Sequence, residues 1–177
     1  HIWSLDVGTA FLQGNQFDDN KASSGPKRDA SFEPPKDCWD MLRDPWTGKQ
    51  FNAGMRVKYV LELLKGAYGL NDAPRLWYCH LVATLQSNGW KRSVFDPCLF
   101  YLRDKKGTLL GACTVHVDDI KLTAEHGVAM DLIKALESKY GKLTVQMDQF
   151  KNCGVDHKRD ADGTVTMGQL AYAKTLK

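Results

Sequence analysis

At 177 residues, with 43% hydrophobic and 25% charged residues, the chain is long enough to form one domain that buries roughly 70% of its unfolded surface. A net charge of +3 permits contact with nucleic acid without arguing for it, because dedicated DNA-binding modules are more basic. No apolar run approaches the ~18 residues of a membrane span and no secretory signal opens the chain, which argues against a membrane or exported protein.

The first seven residues read as a strand, with Ile2, Trp3, Leu5 and Val7 apolar around Asp6. His1 enters this strand directly and no initiator Met precedes it, so the chain is expected to be cut from a longer one. From Gln16 to Lys58 the sequence is polar and irregular, with Gly25-Pro26, Pro34 and Pro35, and reads as a long loop or insertion. Apolar character returns in "VKYVLELLKGAYGL", where Gly66 and Gly69 bracket a turn. A helix follows, capped by Asp72, with Pro74 in its first turn, Leu76, Trp77, Leu81 and Leu85 at helical spacing, and Asn88-Gly89 as the stop. Residues 98–124 read as strand, Lys106-Gly107 turn, strand, Asp118-Asp119 turn, strand. A second helix spans Val128 to Tyr140, with Ala129, Leu132, Ile133, Leu136 and Tyr140 on one face and Gly141 at its end. Residues 150–177 read as a hairpin turning at Asp162-Gly163 and the start of a further segment. Together these elements predict an α+β fold with helices packed on one face of an antiparallel sheet.

The five cysteines, Cys38, Cys79, Cys98, Cys113 and Cys153, are scattered and odd in number, which indicates reduced intracellular thiols. Cys113-x-x-His116 and Cys153-x-x-x-His157 stand too far apart for a compact zinc module, so ordinary thiols are the better reading.

Asp118 and Asp119 interrupt an apolar, β-branched run, "TVHVDDIKLTA". Alone, the pair is explained by a solvated turn. Asp6 changes that balance, because it ends another apolar strand and is followed by Gly8, where backbone can approach a ligand closely. If the two strands are sheet neighbours, three carboxylates converge, and they cannot all stay ionised without compensation. A hard divalent cation with oxygen ligands supplies it. Two such ions about 4 Å apart suit an in-line phosphoryl displacement. That chemistry fits nucleotidyl transfer and equally a nuclease, and the carboxylates alone leave both open.

Four ordered stretches, "DVGTAFLQGN" (6–15), "LKGAYGLNDAPRLWY" (64–78), "SVFDPCLFY" (93–101) and "VHVDDIKLTA" (115–124), resemble the reverse transcriptase of copia-like retrotransposon Pol polyproteins. "FKNCGVDHKRDADGTVTMGQLAYAKTLK" resembles the segment that follows the palm in those polyproteins. The resemblance covers nearly the whole chain and is loosest between Gln16 and Lys58. It implies a polymerase palm with partial fingers and no complete thumb, and RNA-directed DNA polymerase activity that needs two Mg²⁺ ions, with Mn²⁺ as a substitute. It implies Asp6 and Asp118 as principal metal ligands, Asp119 in a more peripheral role, and the backbone carbonyl of Val7 in the second ion's shell. Backbone amides near Thr9 and Ala10 are implied to face the incoming triphosphate, and Phe11 to lie as an aromatic gate beneath the sugar; a core aromatic is the competing reading. Gly69 and Pro74 hold the spacing of a nucleotide- and template-contact segment. Arg75 is a template or primer phosphate contact against the alternative of a solvated side chain. Lys142 aligns with a proton donor to pyrophosphate, against the alternative of a surface lysine. Trp77, Tyr78 and Trp90 read as core. The implied partners are an RNA or DNA template–primer, a dNTP and the rest of the Pol polyprotein, including integrase and ribonuclease H, in a cytoplasmic particle or the nucleus and with no membrane.

Three departures stand out. His116 occupies the position where the family usually has Tyr, and Asp72 the position of a common Gln. The chain also begins at the first catalytic strand, without upstream fingers or downstream thumb, so the isolated segment is expected to be weakly active or inactive. A palm that has decayed or been repurposed as a nucleic-acid- or protein-binding scaffold is the alternative, and a carboxylate-dependent nuclease is a third reading that gains nothing from Phe11 or "YGLNDAP".

Overall fold

In the computed structural model, residues 1–17, 30–44, 46–52, 54–55 and 59–176 are described. The elements in chain order are β1 (Ile2–Asp6), a 3-10 turn (Ala10–Gln13), β2 (Ser31–Phe32), a second 3-10 turn (Lys36–Met41), β3 (Leu61–Glu62) and α1 (Ala73–Ser87). Then come β4 (Lys91–Arg92), β5 (Leu99–Arg103), β6 (Leu109–His116), β7 (Asp119–Ala124), α2 (His126–Tyr140), β8 (Thr144–Met147), β9 (Gln149–Asn152), β10 (Val155–Arg159), β11 (Val165–Gly168) and α3 (Leu170–Ala173). The fold is α+β with antiparallel sheets. No helix among the described residues is long and apolar enough to cross a membrane.

Period-two alternation builds the main sheet, whose six strands run β4-β5-β6-β7-β1-β8 with every neighbouring pair antiparallel. Trp3, Leu5, Phe100, Cys113, Val115, Ile120 and Leu122 point to one face and are buried. They form one core with Trp77, Leu81 and Leu85 of α1 and with Ala129, Leu132, Ile133 and Leu136 of α2. Full burial of each Leu or Ile contributes about 1.5–3 kcal/mol. The two helices are joined by a buried hydrogen bond between the Thr84 and Tyr140 hydroxyls, 2.7 Å.

The opposite face carries Ser4, Asp6, Asp119 and Lys121, and is met by a second sheet ordered β11-β10-β9. Asn152 donates to the Ser4 hydroxyl at 3.4 Å, and Lys121 Nζ lies 3.4 Å from His157 Nε2. The His157 ring is stacked on Phe150 at 5.1 Å.

Several boundaries differ from the sequence expectation. Helix α2 starts two residues before Val128, at His126, and ends at Gly141 with φ of 81° as expected. Asp72 precedes α1 in helical conformation (φ −96°, ψ −9°), and its side chain makes no capping hydrogen bond, so Pro74 in the first turn remains the local start signal. The sequence pattern does not resolve β8, β9 and β10 as separate elements. Their signal is Cys153-Gly154, both at positive φ (49° and 78°), between the alternations Phe150/Asn152 and Val155/His157. This is a two-residue hairpin without the usual Asn-Gly or Asp-Gly. The Asp162-Gly163 turn lies between β10 and β11, with the Gly163 amide donating to the Asp160 carbonyl at 3.0 Å.

The stretch 16–58 is anchored in part rather than irregular throughout. Trp39 is fully buried, donates its indole N–H to the Pro34 carbonyl at 3.3 Å and meets Phe51 edge-on. Residues 18–29, including Gly25-Pro26, lie outside the described residues.

Leu81 is wholly buried between α1 and the sheet, so Leu81→Ala is expected to cost about 3 kcal/mol in urea denaturation. A loss below about 1 kcal/mol would remove Leu81 from the core.

Candidate active site

The end of the sheet where β1 finishes is set by register. Asp6 pairs directly with Asp119 across the β1–β7 ladder, and Asp119 pairs with His116 on its other side. Directly opposed residues sit about 4.5–5.5 Å apart at Cα and share a face. The hairpin loop between β6 and β7 is therefore Val117-Asp118, one residue earlier than the expected Asp118-Asp119 turn. Asp119 is the first residue of β7. The main-chain N–H of Val7 donates to the Asp118 carbonyl at 3.2 Å, which ties the loop to the residue after Asp6.

The turn carries a local conflict. Val117 has φ of 56°, a left-handed conformation that a β-branched residue rarely adopts. A single positive φ at the first position of a two-residue hairpin loop is the type II′ pattern, where Gly is preferred. Holding such a residue costs about 1–3 kcal/mol. Tertiary structure imposes it: the buried Trp77 indole donates its N–H to the Val117 carbonyl at 2.6 Å. Trp77 is thus core, as expected, and also the clamp on the acidic loop. Nothing in its spacing separates that second role from simple burial.

The three carboxylates act on one another. Asp6 has its acidity weakened, first by burial and then by the negative charges of Asp118 and Asp119. Asp119 Oδ2 accepts a weak hydrogen bond from the Cys153 thiol, 3.7 Å away. Burial first, and then the Asp119 charge, push that thiol's pKa upward, so it favours its neutral form. Sequence reasoning leaves Cys153 with the ordinary thiols.

The donor set is hard carboxylate oxygen, whose mutual repulsion a divalent cation relieves, so the residues fit such an ion chemically. Among the described residues, however, no group of three His, Cys, Asp or Glu side chains is arranged to hold a metal ion. The carboxylates are neighbours and not a closed cage. The forced zinc alternative fails on faces. Cys113 is buried in the core with its thiol pushed up to about 12, whereas His116 is exposed on the other side of β6.

Around this end lie the other residues singled out. Thr9 is left-handed (φ 54°, ψ 37°) and opens the 3-10 turn, with the Leu12 N–H donating to its carbonyl at 2.9 Å. Ala10 is buried, and the half-buried Phe11 ring packs 4.9 Å from Tyr68. The turn is seated on α1 so closely that a Cβ on Gly14 would lie 3.1 Å from the Trp77 nitrogen. Gly69, next to Tyr68, has φ of 93°, which only Gly adopts without strain. Pro74 and Arg75 are exposed on the first turn of α1. Lys142 is exposed two residues before Thr144, the β8 partner of Asp6, so it shares this end of the sheet. Among the described residues neither Arg75 nor Lys142 forms an ion pair with the three carboxylates.

A carboxyl whose folded pKa is raised favours folding at low pH and loses that contribution as pH rises through the raised value. Asp6→Asn is therefore expected to raise the melting temperature at pH 7, with the gain fading as pH falls through the carboxylate range. A gain independent of pH would mean that repulsion at Asp6 is not its source.

No protein-family model matches the chain. It is 31% identical over 99% of its length to the retrovirus-related Pol polyprotein from transposon RE2 of Arabidopsis thaliana. Over 69% of its length it is 36% identical to the corresponding polyprotein from transposon RE1 of the same plant. Over 64% it is 29% identical to a putative transposon Ty5-1 protein of Saccharomyces cerevisiae. The chain spans 10% of the RE2 polyprotein, 7% of the RE1 polyprotein and 36% of the yeast protein.

Proposed function

We propose that this chain, a homologue of part of the retrotransposon Pol polyproteins, is the palm of an RNA-directed DNA polymerase. The observation that carries the reading is the register pair Asp6–Asp119 beside Asp118, at the open end of an antiparallel sheet whose other face is covered by helices. The reaction is transfer of dNMP from a dNTP to a primer 3′-OH on an RNA or DNA template, within the larger polyprotein.

Asp6, Asp118 and Asp119, with the Val7 carbonyl, are the groups to hold two Mg²⁺ ions, with Mn²⁺ as a substitute. When bound, such ions neutralise the charge of the triphosphate and favour ionisation of the attacking hydroxyl. The chain's own contribution is positioning. In this reading the main-chain amides of Thr9 and Ala10, at the start of the 3-10 turn, face the triphosphate. Phe11, whose ring packs against Tyr68, is in this reading the ring under the sugar that leaves no room for a 2′-OH. Gly69, Pro74 and Arg75 line the approach of nucleotide and template, and Lys142 supplies a proton to the departing pyrophosphate. Catalysis of this kind rests on preorganised charge rather than covalent chemistry.

The second reading, a palm kept as a binding scaffold without catalysis, is favoured by His116 and Asp72, which stand where the resemblance expects Tyr and Gln. Template–primer binding without nucleotide incorporation by the complete polypeptide would support it.

Primer extension on an RNA template by the complete polypeptide separates the two. Asp118→Asn is expected to lower incorporation at least about a hundredfold. Unchanged extension would remove Asp118 from the reaction. Phe11→Ala is expected to raise incorporation of rNTP relative to dNTP, and an unchanged ratio would return Phe11 to the core.

A further inference from the structure

The loop between β4 and β5 presents two adjacent apolar side chains almost entirely to water: Val94 is 91% and Phe95 95% exposed. Single exposed apolar residues need no explanation, but a contiguous pair on a rigid support does. This loop is rigid. The Ser93 hydroxyl accepts from the Phe95 amide at 3.1 Å, Asp96 Oδ1 accepts from the Cys98 amide at 2.8 Å, and the Ser93 amide donates to the Leu99 carbonyl at 2.8 Å. From α1, the Tyr78 hydroxyl donates to the Pro97 carbonyl at 2.6 Å. The chain thus fixes the backbone beneath Val94 and Phe95 while burying neither.

Their surroundings are basic. Lys91 and Arg92 are exposed at the edge of the sheet and line a groove of about 820 Å³ with Val94 and Tyr101, while Phe95 stands outside it. The nearby Asp96 is engaged by the Cys98 amide. The registers Leu99↔Thr114, His116↔Asp119 and Asp6↔Asp119 put this loop at the same end of the sheet as the three carboxylates. Two to four strand spacings separate them, about 10–19 Å.

We infer that Val94 and Phe95 form a stacking platform for an unpaired nucleic-acid strand, with Lys91 and Arg92 neutralising its phosphates. An aromatic ring offered to solvent beside cations is how proteins hold single strands without reading sequence. The inference rests on the polymerase reading only for the identity of the strand, an unpaired template segment near the reacting end. The platform itself is independent of catalysis.

The test is fluorescence anisotropy of the complete polypeptide with a labelled mixed-sequence single strand, as RNA and as DNA, without divalent cation. Phe95→Ser is expected to weaken both about tenfold, and Phe95→Trp to retain binding. Removing Lys91 or Arg92 as Gln is expected to lower the slope of log affinity against log salt by about one each. Unchanged binding by Phe95→Ser, or equal loss in Phe95→Trp, overturns the platform. So does a change in oligomeric state with unchanged binding, which would make this a contact between copies. Asp118→Asn runs in parallel: extension unaffected by it sinks the polymerase reading, while lost binding in Phe95→Ser leaves the platform standing.

Discussion

The β1–β7 ladder is the constraint on which the site depends. Trp3 and Leu5 must face the helices, and Ser4 and Asp6 then face the other way. A slip of one residue would drive Asp6 into the core and expose the apolar set, so the hydrophobic pattern itself enforces the register. The same register that buries Leu5 against Ile120 therefore sets Asp6 against Asp119. Placement of the carboxylates is a by-product of core packing and needs no interaction among the acids, which in fact repel.

Two local costs sit at this end of the sheet: like-charge repulsion among the acids and the left-handed Val117. Strain at Val117 amounts to about 1–3 kcal/mol. Burial of Leu5, Ile120 and Leu122 beneath the loop contributes about 1.5–3 kcal/mol each, enough to hold it in place. Unfavourable geometry is thus retained here by an otherwise well-packed sheet.

Elements with a complete local code were legible. Helix α1 announces itself through Pro74, four apolar positions at helical spacing and Asn88-Gly89, and α2 through Gly141. The convergence of Asp6 with the later acidic pair was expected only if their strands were sheet neighbours, which the β1–β7 register makes them. What escaped depended on contacts distant in sequence. The one-residue shift of the acidic loop requires a valine in a conformation its own propensity opposes, held by the Trp77 indole and by the Val7 amide, both distant in sequence. The β9–β10 hairpin turns on Cys-Gly, where Gly154 suits positive φ but Cys153 does not. Cys153 reaches Asp119 through that unforeseen hairpin, so its place could not be inferred.

Helix α1 touches both halves of the site. Its Trp77 grips the acidic loop, and its backbone receives the close approach of Gly14 at the end of the turn that bears Phe11. One rigid rod is thus the shared mounting of two parts that lie far apart along the chain. Any tilt of that rod moves the Phe11 ring and the carboxylates together, so alignment here is a property of the mounting rather than of either part.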